Sequence, residues 1–208
     1  MSTPEQPPDQ APEPAPTPED SETSNTIPQP RIWVGSWSDY NNGVLHGAWV
    51  DAAREPDELA ADIQTMLAAS PWTARTGEPA EEWGIFDTDD FAACRIGEQE
   101  NLERVSAVAK GIAEHGPAFA AWADVVEDPE LLTGFNEAYL GVYDNLEAYA
   151  EQLADDLGYS QILDDNLPEH IRRYVDINTA GLAQDMWLSG DVMVCHRPGG
   201  GVWLFRGH

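Results

Sequence analysis

From Arg31 onward the chain alternates between strand-like and helix-like spacing of its apolar residues. Arg31–Ser38, RIWVGSWS, alternates apolar and small positions imperfectly, as a half-buried strand does. Asn42-Gly43 is a tight-turn dipeptide, and Val44–Asp51, VLHGAWVD, predicts a second strand, the two forming a hairpin with a slightly long loop. Pro56 opens a helix whose Leu59, Ile63, Met66 and Leu67 share one face, and Ser70-Pro71 ends it. Trp83–Asp87, WGIFD, predicts a third strand and completes a ββαβ unit. Leu102, Val105, Val108, Ala109 and Ile112 then recur at helical spacing until His115-Gly116. Pro117 opens another helix, with Phe119, Trp122 and Val125 or Val126 inward. Asp128-Pro129-Glu130 starts a further helix leading into LLTGFNEAYLG.

Asn145–Leu157 predicts an amphipathic helix capped by Asp144 or Asn145, with Leu146, Tyr149, Leu153 and Leu157 on its apolar face. Leu167–Val175 reads as a short helical or extended link, and Thr179–Ser189 as a helix with Leu182 and Met186 inward. Val192–His196, a glycine-rich turn and Val202–Phe205 predict a closing hairpin. The pattern is α+β in several small subdomains: an N-terminal ββαβ domain over 31–100, a helical middle over 101–137, and C-terminal helices with a β-hairpin over 138–208.

Residues 1–30 differ from all of this. They hold nine of the sixteen prolines and six acidic residues, with no basic or aromatic one. Such a segment buries too little apolar area to offset the entropy of ordering it, so a disordered, extended tail is expected. Without it, 32 acidic and 10 basic residues remain from the 38 and 10 of the whole chain, and the net charge moves only from −28 to −22. The acidity therefore belongs to the folded part. Eight Trp, six Tyr and five Phe set that part apart from a charged disordered polymer.

This balance excludes whole classes of function. A nucleic-acid groove needs cations to replace released counterions, and an anionic membrane would repel the surface. No apolar run approaches the roughly 18 residues of a membrane span, and the N-terminus lacks the basic and apolar regions of a secretory signal. Cys94 and Cys195 are too few and too far apart for a disulfide framework, so a cytoplasmic, reduced protein is expected.

Candidate chemistry is sparse. Neither a dinucleotide or phosphate-binding glycine loop nor a nucleophile elbow is present, and Gly199-Gly200-Gly201 joins two strands rather than opening a helix. His46, His115, His170, His196 and His208 show no metal-binding spacing, and adjacent Cys195 and His196 point to opposite faces of a strand. Asp87-Thr88-Asp89-Asp90 begins like a calcium loop but lacks its glycine and distal glutamate. No metal and no cofactor is expected. An enzyme using a carboxylate pair or Cys195 is a further competing reading.

What is informative is where the carboxylates fall. Glu147, Glu151 and Asp155 follow i, i+4, i+8 on one helix, forming a stripe opposite its Leu and Tyr face with steps of about 6 Å. Like charges at that spacing destabilise a helix by about 0.2–0.5 kcal/mol per pair, and most surfaces interleave lysine. Further groups are Asp57, Glu58 and Asp62; Glu78, Glu81 and Glu82; Asp87, Asp89 and Asp90; Glu98, Glu100 and Glu103; Asp124, Glu127, Asp128 and Glu130; and Asp164, Asp165 and Glu169. A folded scaffold bearing such a train resembles the phosphate array of DNA, with one charge per roughly 3.4 Å of each strand. Salt adaptation of an acidic globular protein with another activity is the competing explanation.

The chain also resembles the ArdA antirestriction proteins. RIWVGSWSDYNNGVLHGAWVD at 31–51 is similar to their N-terminal signature and EWGIFD at 82–87 to the strand that follows it. LLTGFNEAYLGVYDNLEAYAEQL at 131–153 resembles their antirestriction-motif region, LPEHIRRYVDINTAGLAQDMWLSGD at 167–191 their C-terminal signature, and GGVWLFR the closing hairpin. The resemblance implies an elongated three-part α+β protein, non-enzymatic, carried by plasmids and other mobile elements, and a homodimer through its C-terminal region. Its surface would mimic bent B-DNA and occupy the DNA groove of type I restriction-modification enzymes. The clustered acids other than Glu78, Asp164, Asp165 and Glu169 are then candidates for the mimic surface. Leu131, Phe135, Glu137, Tyr139, Gly141 and Tyr143 of the motif would support folding or the dimer, with Tyr139 and Tyr143 as packing residues.

Overall fold

Strand β1 (Arg31–Ser36) buries Ile32 and Val34 and ends earlier than its pattern suggests. Ser36 turns the chain: its hydroxyl accepts the Asp39 amide at 3.3 Å and caps a one-turn helix, α1 (Trp37–Tyr40). Asn42-Gly43 therefore closes α1, with Gly43 in the left-handed region at φ 78°, instead of forming a two-residue hairpin turn. Strand β2 (Gly47–Asp51) starts three residues later than expected and pairs antiparallel with β1. The structure is a computed structural model that describes residues 28–126 and 128–207. The tail through Ile27, the candidate Glu127 and the last residue, His208, lie outside the described residues.

Helix α2 (Pro56–Ala68) turns Leu59, Ile63, Met66 and Leu67 inward, as its spacing requires. Ser70 does more than end it. Its hydroxyl accepts the Thr73 amide at 3.2 Å and caps a further helix, α3 (Pro71–Thr76), stopped by Gly77 at φ 77°. Strand β3 (Trp83–Asp89) pairs with the other side of β1, giving the order β2-β1-β3. Helix α4 (Leu102–His115) and helix α5 (Pro117–Val125) are joined by Gly116 at φ 70° and pack on each other. Val126, not Val125, is the inward residue at the end of α5.

The expected helix through LLTGFNEAYLG is interrupted. It breaks into two single turns, α6 (Pro129–Leu132) and α7 (Phe135–Ala138), and then a strand, β4 (Tyr139–Tyr143). Gly134 separates the turns. Gly141, at φ 120°, sits at a register shift that no helix accommodates. Helix α8 (Leu146–Asp156) is capped by Asn145, which accepts the Ala148 amide at 2.9 Å. Ala150 and Ala154 are its buried residues, while Leu146, Tyr149 and Leu153 are half-buried and Leu157 is exposed. Helices α9 (Tyr159–Asn166), which buries no residue, and α10 (Glu169–Arg172) follow. Helix α11 (Thr179–Ser189) then leads to strands β5 (Val192–His196) and β6 (Val202–Arg206). The closing hairpin is two-thirds of a three-stranded antiparallel sheet of order β4-β6-β5, and the whole is α+β.

Two apolar clusters form. One runs from Ile32 to Ala138 and takes in Trp203 and Phe205; the other joins Ala150, Ala183, Met186 and Val192 to Val202 and Leu204. Alternate residues of β6 thus enter different cores, because successive strand side chains point to opposite faces. Phe205 is fully buried, with ring centroids 5.3 Å from Trp122, 5.6 Å from Tyr139 and 6.0 Å from Phe135. Phe205→Ala should cost about 3–5 kcal/mol, whereas Leu45→Ala at a 70% exposed site should stay within about 0.5 kcal/mol. Urea unfolding followed by circular dichroism measures both. Equal effects would show that Phe205 is not part of the larger core.

Candidate functional site

The sequence places each acidic group where a local element can hold it outward. Asp57 and Glu58 occupy the first turn of α2, where the helix dipole favours negative charge. Glu58 also accepts the Glu55 amide at 3.1 Å and closes a capping box. Glu81, Glu82, Asp87, Asp90, Glu98 and Glu103 are exposed around the ends of β3 and the start of α4. Asp128 caps α6 by accepting the Glu130 amide at 2.9 Å, and Glu130 points to solvent. Glu147, Glu151 and Asp155 are exposed along α8, beside buried Ala150 and Ala154 and opposite half-buried Tyr149 and Leu153.

Cations neutralise only part of this set. Arg54 holds Asp62 at 2.6 Å and Glu58 at 3.8 Å; Arg95 holds Asp124 at 3.3 Å; Arg104 lies 3.9 Å from Glu100; Arg31 pairs with Asp89. Lys110 and Arg172 pair with Glu55 and Asp164, outside the candidate set. Arg75, Arg173 and Arg197 lie over the rings of Trp72, Tyr174 and Trp203. Among the described residues no ion pair reaches the α8 stripe, Asp57, Glu81, Glu82, Asp87, Asp90, Glu98, Glu103, Asp128 or Glu130. Their field is left to solvent and counterions.

The motif residues divide differently. Phe135 is buried and stacks with Tyr139 at 5.1 Å and with His115 at 4.7 Å. Tyr143 meets Tyr149 edge-on at 5.1 Å. Gly141 supplies the positive φ of the bulge, while Leu131 and Glu137 are exposed. Both thiols are held protonated at neutral pH. Burial pushes Cys94 up to about 11, and burial, reinforced by Asp124, raises Cys195. Among the described residues no group of three His, Cys, Asp or Glu could hold a metal ion. Gly200 and Gly201, both at positive φ, form the hairpin turn.

One acid behaves unlike all the others and was not among the candidates. Asp39 is 1% exposed, and accepts the Ser70 hydroxyl at 2.6 Å and the Trp72 amide at 2.7 Å. It thereby clamps the start of α3 against α1. Burial opposes its ionisation, but the bonds from Ser70, Ser36 and the Trp72 amide, with nearby His46, outweigh burial and hold the carboxyl below the ordinary range. The Ser36-x-x-Asp39 spacing of a capping box was the available signal.

Taken together, these features define an acidic α+β protein whose surface carboxylates are largely uncompensated among the described residues. Residues 32–198 match the family model described as Antirestriction protein (ArdA), and the chain belongs to that family. No curated protein matches the chain.

Because Asp39 is lowered in the native state, its contribution is full above the unfolded value of about 3.9 and fades as pH falls through the lower native one. Asp39→Asn should cost about 2–3 kcal/mol at neutral pH, and the gap to wild type should narrow towards about pH 3. Urea midpoints at both pH values test this, and a gap independent of pH would remove the carboxylate charge from the account.

Proposed function

We propose that this antirestriction protein mimics the charge and shape of B-DNA and inhibits type I restriction-modification enzymes by occupying the DNA groove of their methyltransferase core. The observation that carries this reading is the run of exposed carboxylates that no ion pair reaches among the described residues, α8 above all. A groove built for phosphates offers cations at comparable spacing, and both surfaces release counterions on contact. The inhibition needs no catalysis and no cofactor, and it operates in the cytoplasm, where incoming DNA is restricted. No helix among the described residues is long and apolar enough to cross a membrane.

The C-terminal region supports a homodimer. Ile162, Ile171, Tyr174, Trp187 and Leu188 are exposed there, with Tyr174 at 75% and Leu188 at 65%. Large exposed apolar side chains at this density mark association surfaces.

A purified type I enzyme, assayed for restriction and methylation with and without this protein, tests the reading. Inhibition should fall as salt rises. Glu151→Gln removes one exposed contact worth about 0.2–1 kcal/mol, so inhibition should weaken by a few-fold at most. Replacing Glu147, Glu151 and Asp155 together by their amides should weaken it further, roughly additively, without lowering the melting temperature, since like-charge repulsion on α8 is relieved. A single carboxylate whose loss abolished inhibition in a folded protein would overturn distributed mimicry.

A further inference from the structure

The N-terminal sheet has two unlike faces. Opposed residues of antiparallel strands share a face, so Ile32, Val34, Val50 and Ile85 lie together on the buried side. The other side reads in three rows across β2, β1 and β3: Asp51, Arg31, Asp89; then Trp49, Trp33, Asp87; then Gly47, Gly35, Gly84. The glycine row has no room for side chains. A Cβ on Gly47 would run into the Val34 carbonyl oxygen and stand 3.0 Å from Trp33, one on Gly35 would stand 2.6 Å from Phe86, and one on Gly84 2.9 Å from Trp37 Nε1. Trp33 meets Trp49 at 5.7 Å and Phe86 meets Trp37 at 4.7 Å. Trp49 keeps 41% of its surface exposed, and Asp51 and Asp87 are exposed beside the rings.

One occupant is already shown. Arg31 sets its guanidinium carbon 5.2 Å from the centroid of the Trp49 ring while pairing with Asp89. The same combination of ring and carboxylate recurs twice with no ion pair to the carboxylate among the described residues. Trp33 stands opposite Asp87, for which no ion pair is found among the described residues. Trp37 and Phe86 flank Glu98, whose Cγ lies 3.3 Å from a Cβ placed on Gly84. A planar guanidinium stacks on a ring and forks onto a carboxylate at once; an ammonium, a compact and strongly hydrated charge, does this less well. We propose that the open face of the N-terminal sheet is a guanidinium-binding surface that takes arginine side chains of a basic protein partner. The partner's basic character rests on the DNA-mimic reading. The face adds to that reading a docking point that a phosphate array lacks, since phosphates carry no rings.

The test uses the full chain with hexa-arginine and hexalysine peptides, followed by calorimetry and by the indole N–H signals of the tryptophans. Stacking at exposed sites is worth about two- to five-fold per site, so hexa-arginine should bind at least that much tighter and shift the Trp33 and Trp37 signals. Trp33→Leu should bring the two affinities close together. Asp87→Asn, at an exposed position that does not endanger the fold, should do so partly. Neutralising the α8 stripe should instead weaken both peptides equally. Equal affinities in wild type, or an arginine preference that survives both substitutions, would overturn the proposal, as would self-association of the chain abolished by Trp33→Leu, which would give the face to a second copy. Arginine-selective binding without inhibition of a type I enzyme would sink the DNA-mimic reading and leave the surface standing. Inhibition indifferent to Trp33→Leu and Asp87→Asn, with no peptide preference, would do the reverse.

Discussion

The strand that holds the molecule together is β6. It lies in the middle of the C-terminal sheet and is buried on both faces, from Val202 to Phe205. The period of two in a strand sends Trp203 and Phe205 into the core shared by the N-terminal sheet and the helical middle. Val202 and Leu204 go into the smaller core under α8 and α11. A one-residue slip of β6 would exchange the two sets, placing Trp and Phe where Ala150 and Ala183 leave little room. Gly200 and Gly201 fix the register through the turn, and β4 fixes it from the other edge. The carboxylate-bearing α8 therefore keeps its place relative to the rest because β6 does.

This constraint matters because the chain repels itself. A net −28 destabilises any compact state, and burial of apolar area has to exceed that repulsion as well as chain entropy. The positions of the acids reduce the cost. Several sit at helix starts, where Asp128 and Glu58 also bond to backbone amides. The few cations bind acids close to folded junctions: Arg54 beside α2, Lys110 between α4 and Glu55, Arg31 at the end of β3. The acids that no ion pair reaches among the described residues are exposed to solvent. Asp39 is the opposite case, a carboxylate used as an internal acceptor that joins two helix starts.

Strong periodicity made much of the fold legible in the sequence. Helices α2, α4 and α11 and strands β5 and β6 follow directly from apolar spacing and from proline or glycine stops. The errors share a cause. The helix start at Asp128-Pro129-Glu130 predicts a helix through Gly141; the pairing of Tyr139–Gly141 with β6, more than sixty residues on, leaves no local trace. Helix α9 buries no residue, so no apolar stripe announced it. Helices α1 and α3 are single caps and turns, marked by Ser36 and Ser70 and not by periodicity. For the candidate surface, the sequence located the acids but not their partners. Glu58, Asp62, Asp89, Glu100 and Asp124 have arginines within reach, which spacing alone does not disclose.

That division between paired and unpaired carboxylates bears on how such a surface can recognise anything. A smooth excess of charge attracts every basic protein and discriminates poorly, since screened exposed contacts are weak and broadly interchangeable. It accelerates encounter and makes binding salt-sensitive. Orientation has to come from features with shape: helices that hold carboxylates at fixed intervals, and rings that accept one cation geometry better than another. The three glycines across the N-terminal sheet are informative here. Gly35, Gly47 and Gly84 weaken a sheet by intrinsic propensity, yet rings lying over Gly35 and Gly84, and the Val34 carbonyl with the Trp33 ring at Gly47, leave no room for a side chain. A protein that needed only solubility and charge could cover that face with threonine and glutamate. Keeping large rings half exposed between carboxylates costs sheet stability and invites aggregation, a cost that the proposed guanidinium contact would offset.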